Sequence, residues 1–290
     1  MDKIMKKKLV YSLFALFSYT ASAANIDASL RHIEQQIEGQ IGVAVIDTEN
    51  NTQWSFNGTE RFPMMSTFKT LACANVLYDV QHNVLSLTQK IDVNKEGLIN
   101  WNPITQNFIG SQMSLRSVCG AAMIMSDNYA ANLALEQIDG PKGVTAFLRS
   151  IGDNETRLDH FEPKLNYVKK GAKNDTTTPV AMMNTIKKLL IGNVLDAESK
   201  AQLQVWMTNN MVSDGLARAA LPKGWKIADR SGGGVNGSRT LTAMVWNNDR
   251  KPVFIGIFIA NSKLTTLLEL NKVVADISKQ VFDKYLITPK

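Results

Sequence analysis

The chain has 290 residues, 44% of them apolar and 20% charged, with a net charge of +6. These are the proportions of a globular protein, and they exclude disordered, collagenous and coiled-coil classes. Two Cys and three His, with no Cys-x-x-Cys or His-x-x-x-His pair, exclude a disulfide-dense scaffold and a zinc-finger array; no metal or other cofactor is expected. Any catalysis is then expected to use hydroxyls, carboxylates, Lys and Arg.

Residues 1–23 read as an export leader: a basic start with Lys3 and Lys6 to Lys8, an apolar stretch from Leu9 to Tyr19, and Ala21-Ser22-Ala23 as a cleavage site. The apolar stretch is shorter than the roughly 20 residues that span a bilayer. A periplasmic location is expected, with cleavage near Ala23 and no membrane attachment afterwards. Four Lys and one Asp in this leader carry half of the net charge. What remains gives no argument for a nucleic-acid partner. An oxidising compartment makes Cys73 and Cys119 candidates for a disulfide.

Leu30, Ile33 and Ile37 are spaced as on one face of a helix over 27–37. Ile41–Asp47 and Thr52–Phe56, with Asn50-Asn51 between them, predict a hairpin. From Phe62 to about Asn210 the pattern is mostly helical, with helices predicted over Thr67–Val80, Leu115–Met125, Ala130–Gln137, Val144–Ser150 and Val180–Leu190. Gly152 to Pro179 reads as a long loop, a length that is uncommon unless it serves a function. Trp225–Asp229, Arg239–Trp246 and Val253–Ala260 predict three further strands, and Leu264–Tyr285 a closing helix. This order predicts an α/β (α+β) fold, an antiparallel five-stranded sheet flanked by helices, plus an all-helical lobe. The expected units are 24–60 with 208–290 as the α/β domain and 61–207 as the helical domain, with a cleft between them. Gly232 to Gly237 matches G-x-G-x-x-G, but a strand follows where a dinucleotide site needs a helix, so a hairpin turn is expected instead.

Four short clusters could carry chemistry. Ser66-Thr67-Phe68-Lys69 places a hydroxyl at a helix N-terminus and an amine one turn later on the same face. Ser126-Asp127-Asn128 ends one helix and starts another; Ser126 could relay a proton and Asn128 could contact a substrate amide. Glu162-Pro163-Lys164-Leu165-Asn166 sets a carboxylate and an amide four apart, able to hold a water together. Asp229-Arg230-Ser231-Gly232 ends a strand, where Arg230 could bind a carboxylate in forked geometry. Each cluster alone also reads as a helix cap, a turn, a surface loop or a strand end.

Taken in this order and at these intervals, the set resembles the active-site serine penicillin-recognising enzymes, and within them the class A β-lactamases. The Glu162 box separates that class from the transpeptidases. Arg230 stands where the family usually has Lys, and Arg230-Ser231-Gly232 is similar to the triad of carbenicillin-hydrolysing penicillinases. The resemblance implies a serine β-lactamase/transpeptidase-like fold. It also implies hydrolysis of the β-lactam ring of penicillins, carbenicillin included, through an acyl-enzyme, and hence antibiotic resistance. Ser66 would be the nucleophile, and Lys69 or Glu162 the acylation base. Ser126 would be the proton donor, and Glu162 with Asn166 would hold the hydrolytic water. The backbone N–H groups of Ser66 and Gly233 would form the oxyanion hole. Asn128, Arg230, Ser231, Gly232, Arg239 and Trp101 would contact the substrate, a small-molecule β-lactam bound by a monomer. The Glu162–Pro163 bond is expected to be cis. His160 stands where the family usually has an Arg facing the position of Asp175, and a neutral His would anchor the Glu162 loop less firmly. A Cys73–Cys119 bridge would join the helices that bear the two serines. The alternatives are a D-Ala-D-Ala carboxypeptidase and a non-hydrolysing β-lactam sensor; both typically lack the Glu162 box.

Overall fold

The structure, a computed structural model, describes residues 14–287, with side chains from Ile26 onward. The leader reading of residues 1–23 falls on residues outside the described ones and on others whose side chains are not described. In chain order the elements are α1 (Phe14–Ile37), β1 (Gln40–Asp47), β2 (Thr52–Phe56), β3 (Phe62–Pro63), α2 (Phe68–Gln81), β4 (Lys90–Val93), β5 (Ser111–Ser114), α3 (Leu115–Ile124), α4 (Asn128–Glu136), α5 (Gly140–Ser150), β6 (Thr176–Thr177), α6 (Pro179–Ile191), α7 (Ala197–Thr208), α8 (Ala217–Ala220), β7 (Lys226–Gly234), β8 (Ser238–Trp246), β9 (Val253–Ala260) and α9 (Leu267–Tyr285). No helix among the described residues is long and apolar enough to cross a membrane.

The five predicted strands form one antiparallel sheet in the order β2-β1-β9-β8-β7. Its central strand β9 is buried along its whole length. Strand periodicity sorts its side chains to two sides. Phe254, Phe258 and Ala260 join Ala44, Ile46 and Met244 in the core shared with the helices. Val253, Ile255, Ile257 and Ile259 join Leu30, Val274, Ile277 and Val281 from α1 and α9. Helices cover both faces, so the strand reads as a continuous apolar run and does not alternate with polar residues. Helix α9 begins at a capping box, in which Thr266 Oγ1 accepts from Glu269 N–H and Glu269 Oε2 accepts from Thr266 N–H, both at 3.2 Å. Its buried Leu270, Val274, Ile277 and Val281 recur every three or four residues and form the stripe against the sheet.

In α2, residues Phe68 to Leu77 are all buried, so this helix is packed on every side. That burial holds the segment bearing Lys69 rigidly. Between β7 and β8, Val235-Asn236-Gly237 form the predicted turn, with Asn236 and Gly237 both at φ 59°. A Cβ on Gly237 would fall 2.1 Å from Ser262 O, so only glycine fits there.

The disulfide expectation is corrected. Cys73 and Cys119 are both buried and free, and their sulfurs are not at bonding distance. Cys73 Sγ instead faces the carbonyl oxygen of Cys119 at 3.9 Å. A seven-residue offset from each serine put both residues on facing helices, but it does not aim the two Cβ–S bonds at each other. Burial, with Cys73 as neighbour, pushes the Cys119 thiol well up from its ordinary value, which keeps it an unreactive thiol. Thermal melting with and without reductant should therefore coincide; a drop of several degrees on reduction would show a bond.

Candidate active site

Ser66 lies in a 3₁₀ turn, Met65–Thr67, that leads directly into α2. Thr67 Oγ1 donates to Met64 O at 2.6 Å, and Thr240 Oγ1 of β8 donates to the same carbonyl at 3.1 Å, tying the turn to the sheet. Met65 is held at φ 48°. One turn on, Lys69 is fully buried and its Nζ reaches Ser66 Oγ at 3.1 Å, Ser126 Oγ at 3.2 Å, Ser126 O at 3.0 Å and Asn128 Oδ1 at 2.6 Å. Glu162 Oε1 completes this shell at 3.2 Å.

Ser126 sits at φ 59° between α3 and α4. Asp127 holds this corner. Its carboxylate caps α4 at Ala130 N–H (2.9 Å) and accepts from Ile104 N–H (2.9 Å) and Thr105 N–H (2.8 Å). Asn128 Nδ2 donates to Asn100 O at 2.9 Å. Trp101, at φ 64° and 58% exposed, stands at the cleft mouth with its Nε1–H on Met125 O at 2.9 Å.

The Glu162–Pro163 peptide is cis, as the resemblance implies. Asn132 of α4 clamps Glu162 at both backbone atoms, accepting from its N–H at 2.9 Å and donating to its carbonyl at 3.0 Å. Asn166 Nδ2 donates to Glu162 Oε2 at 2.5 Å, while Asn166 Oδ1 is buried without a hydrogen-bond partner. Asp175 pins the loop by accepting from Asp159 N–H (2.8 Å) and His160 N–H (3.0 Å) and by meeting His160 Nδ1 at 2.6 Å. The predicted His160–Asp175 pair is present.

Strand β7 closes the far wall. It runs so near Ser66 that a Cβ on Gly232 would stand 2.5 Å from Ser66 N. Arg230 is fully buried and its Nη2 donates to Ser126 Oγ, whereas Nε and Nη1 have no hydrogen-bond partner. Ser66, Trp101, Ser126, Asn128, Asn166, Ser231, Gly232, Gly233 and Arg239 all line one cleft of about 380 Å³. Lys69, Glu162 and Arg230 lie immediately behind that lining. A larger hollow of about 610 Å³ lies elsewhere, beside Asp153, Thr185 and Lys188. There Asp153 accepts from Thr185 Oγ1 at 2.7 Å, and Lys188 donates to Ile151 O at 2.7 Å.

Burial sets the electrostatics. It lowers Lys69 from its ordinary value to about 8; the Arg230 charge pushes the same way and Glu162 opposes. Burial also lowers Arg230 to about 10, aided by the Arg239 charge and opposed by Asp229, and it lowers Arg239 to about 10 as well. Asp229 is raised by burial against the pull of Arg218. Lys69, Arg230 and Arg239 thus stand close together behind the cleft with Glu162, Asp229 and Asp127 among them, and an anion bound in the cleft would meet the Arg230 and Arg239 charges. The orphaned Arg230 donors offer it hydrogen bonds.

Several contributors were not foreseen. Asn132 holds Glu162, and Thr105 supports Asp127. From α9, Asn271 Oδ1 accepts from Arg239 Nε at 2.8 Å. Asn210, Ser213 and Arg218 form a polar chain behind Ser231. Asn132, close behind the Ser126 cluster, carried a hint; Asn271, an amide inside an amphipathic helix, carried none.

The family model described as the β-lactamase enzyme family matches residues 25–285. Beta-lactamase CARB-3 of Pseudomonas aeruginosa is 41% identical over 284 residues, covering 97% of this chain and 98% of that protein. Beta-lactamase PSE-1 of the same organism is 40% identical with the same coverage. Among solved structures, the chromosome-encoded β-lactamase of Vibrio parahaemolyticus superposes with a TM-score of 0.89 at 46% identity, covering 91% of this chain and all of that one. The reconstructed ancestral class A enzyme of Gram-negative bacteria gives 0.87 at 38% identity, covering 90% of this chain and all of that one.

Proposed function

The chain belongs to the β-lactamase enzyme family and hydrolyses β-lactams; we propose that it does so through an ester on Ser66 and that its substrates include carboxylated penicillins such as carbenicillin. The observation that carries the mechanism is the Lys69 shell, in which one buried amine touches the nucleophile, the proton donor and the carboxylate. Ser66 Oγ attacks the lactam carbonyl as its proton passes to Glu162 of the Lys69–Glu162 pair, from which it later replaces the proton that Ser126 gives away. The Ser66 and Gly233 N–H groups receive the developing oxyanion, where each such donor is worth about 3–4 kcal/mol in the barrier. The Ser126 hydroxyl accepts from both Lys69 and Arg230, so its own proton is left to go to the departing lactam nitrogen. A water donating to Glu162 and to the free Asn166 Oδ1 is then aimed at the ester; Glu162 takes its proton, and the free acid and Ser66 are regenerated. The Glu162–Lys69 contact favours this hydrolytic reading over a peptidase or a sensor. Arg230, Ser231 and Arg239 bind the substrate carboxylate. The leader pattern supports export to the periplasm.

Hydrolysis of benzylpenicillin, carbenicillin and a cephalosporin by the purified protein tests this assignment. Absence of any turnover would refute the activity. The Arg230→Lys variant should keep benzylpenicillin hydrolysis but lower carbenicillin relative to it by about tenfold, since a point charge replaces the two free fork donors. An unchanged ratio would detach carbenicillin preference from Arg230.

A further inference from the structure

We propose that Ser213 is a positioning residue that sets the direction of the Ser231 hydroxyl, so that Ser231 presents its proton to the substrate carboxylate. The inference rests on the β-lactamase reading of the cleft and deepens it. Ser213 lies between α7 and α8, is fully buried, and is not part of the cleft lining. It acts through Ser231.

The polarity of the chain follows from one backbone group. Val212 N–H donates to Asn210 Oδ1 at 3.1 Å. That contact orients the amide and leaves Nδ2 as the donor, at 2.6 Å from Ser213 Oγ. The second Nδ2 proton is steadied by Asp229 O at 3.2 Å, and Asp229 is itself held by Arg218 at 2.7 Å. Having accepted from Asn210, Ser213 Oγ passes its own proton to Ser231 Oγ at 2.8 Å. Ser231 Oγ therefore accepts from behind and keeps its own proton to give. The nearest acceptor in the protein is Val212 O at 3.4 Å, a long contact. A carboxylate in the cleft is a stronger acceptor, and the charge-assisted bond it forms is shorter. Arg230, whose Nη2 reaches the cleft-lining Ser126 Oγ, adds its charge to the same wall.

Ser213→Ala removes the donor that holds Ser231 in this orientation. KM for benzylpenicillin should then rise about fivefold to tenfold with kcat nearly unchanged, the size of one ordinary hydrogen bond. Ser213→Thr, which keeps the hydroxyl, should restore the KM. In a Ser231→Ala background, Ser213→Ala should add nothing. Benzylpenicillin methyl ester, which lacks the carboxylate, should be hydrolysed equally by the unaltered enzyme and Ser213→Ala; it also checks on the same sample that the variant is folded. An unchanged KM, an equal loss on the ester, or an additive loss with Ser231→Ala would overturn the proposal. An unaltered enzyme inactive on both compounds would overturn the β-lactamase reading instead.

Discussion

Mixing the Glu162→Ala variant with benzylpenicillin should give a protein heavier by the mass of the whole antibiotic, and the added mass should persist. Ring opening expels no fragment, because the departing nitrogen stays tethered to the acyl group. Acylation therefore adds every atom of the substrate, and hydrolysis adds one water before release. In the structure Glu162 Oε2 accepts from Asn166, whose Oδ1 is buried without a partner, and among the described residues no carboxylate is part of the cleft lining itself. Acylation still proceeds, because Lys69, relieved of the Glu162 charge that favours its proton, becomes the neutral amine that takes the Ser66 proton. The ester then meets water with no base, and steady-state turnover should fall by about 10³-fold, within the range for general base catalysis. Intact-protein mass spectrometry at seconds and at one hour separates the outcomes. Full-rate hydrolysis, or an adduct that clears as quickly as in the unaltered enzyme, would take the water base away from Glu162.

Lys69→Met should block the earlier step, so that no adduct forms. Three neighbours of Lys69 Nζ can only accept: Ser126 O, Asn128 Oδ1 and Glu162 Oε1. Ser126 O and Asn128 Oδ1 take two of the ammonium protons and Ser126 Oγ the third, while the Glu162 charge favours the charged form through its field. The charged form is thus the one the site is built around, and with Lys69 lowered to about 8 it prevails at neutral pH. Raising the pH through about 8 removes that proton, so kcat/KM should decline across this window. Lys69→Met should lower acylation by about 10³-fold and abolish the decline. A kcat/KM that rises through pH 8 would instead make the neutral amine the base that takes the Ser66 proton.

The parts of the site legible in the sequence were those written over a few residues. Ser66 and Lys69 share a helix face by spacing alone, whereas Arg230-Ser231-Gly232, expected at a strand end, lie inside β7, which stays paired with β8 as far as Gly234. What spacing could not supply was convergence between segments, such as the reach of Glu162 onto Lys69 or of Arg230 onto Ser126. Those contacts came from the folded chain. Helix α7 lies within the stretch that reads as mostly helical, but its bounds are not legible, because Leu203, Val205, Trp206 and Met207 crowd at one end instead of recurring every three or four residues. The cysteines show the opposite failure: adjacency was foreseen and orientation was not.

Met65, Trp101 and Ser126, none of them glycine, all take positive φ around one cleft. Conformations of this kind cost about 1–3 kcal/mol each and persist because the surroundings impose them. A domain has only some 5–15 kcal/mol of net stability from which to sustain them. The catalytic apparatus therefore draws on the stability that the rest of the fold supplies. Lineages under pressure to accept bulkier antibiotics should acquire compensating changes far from the cleft, in the sheet and its covering helices, before or together with changes in the cleft itself.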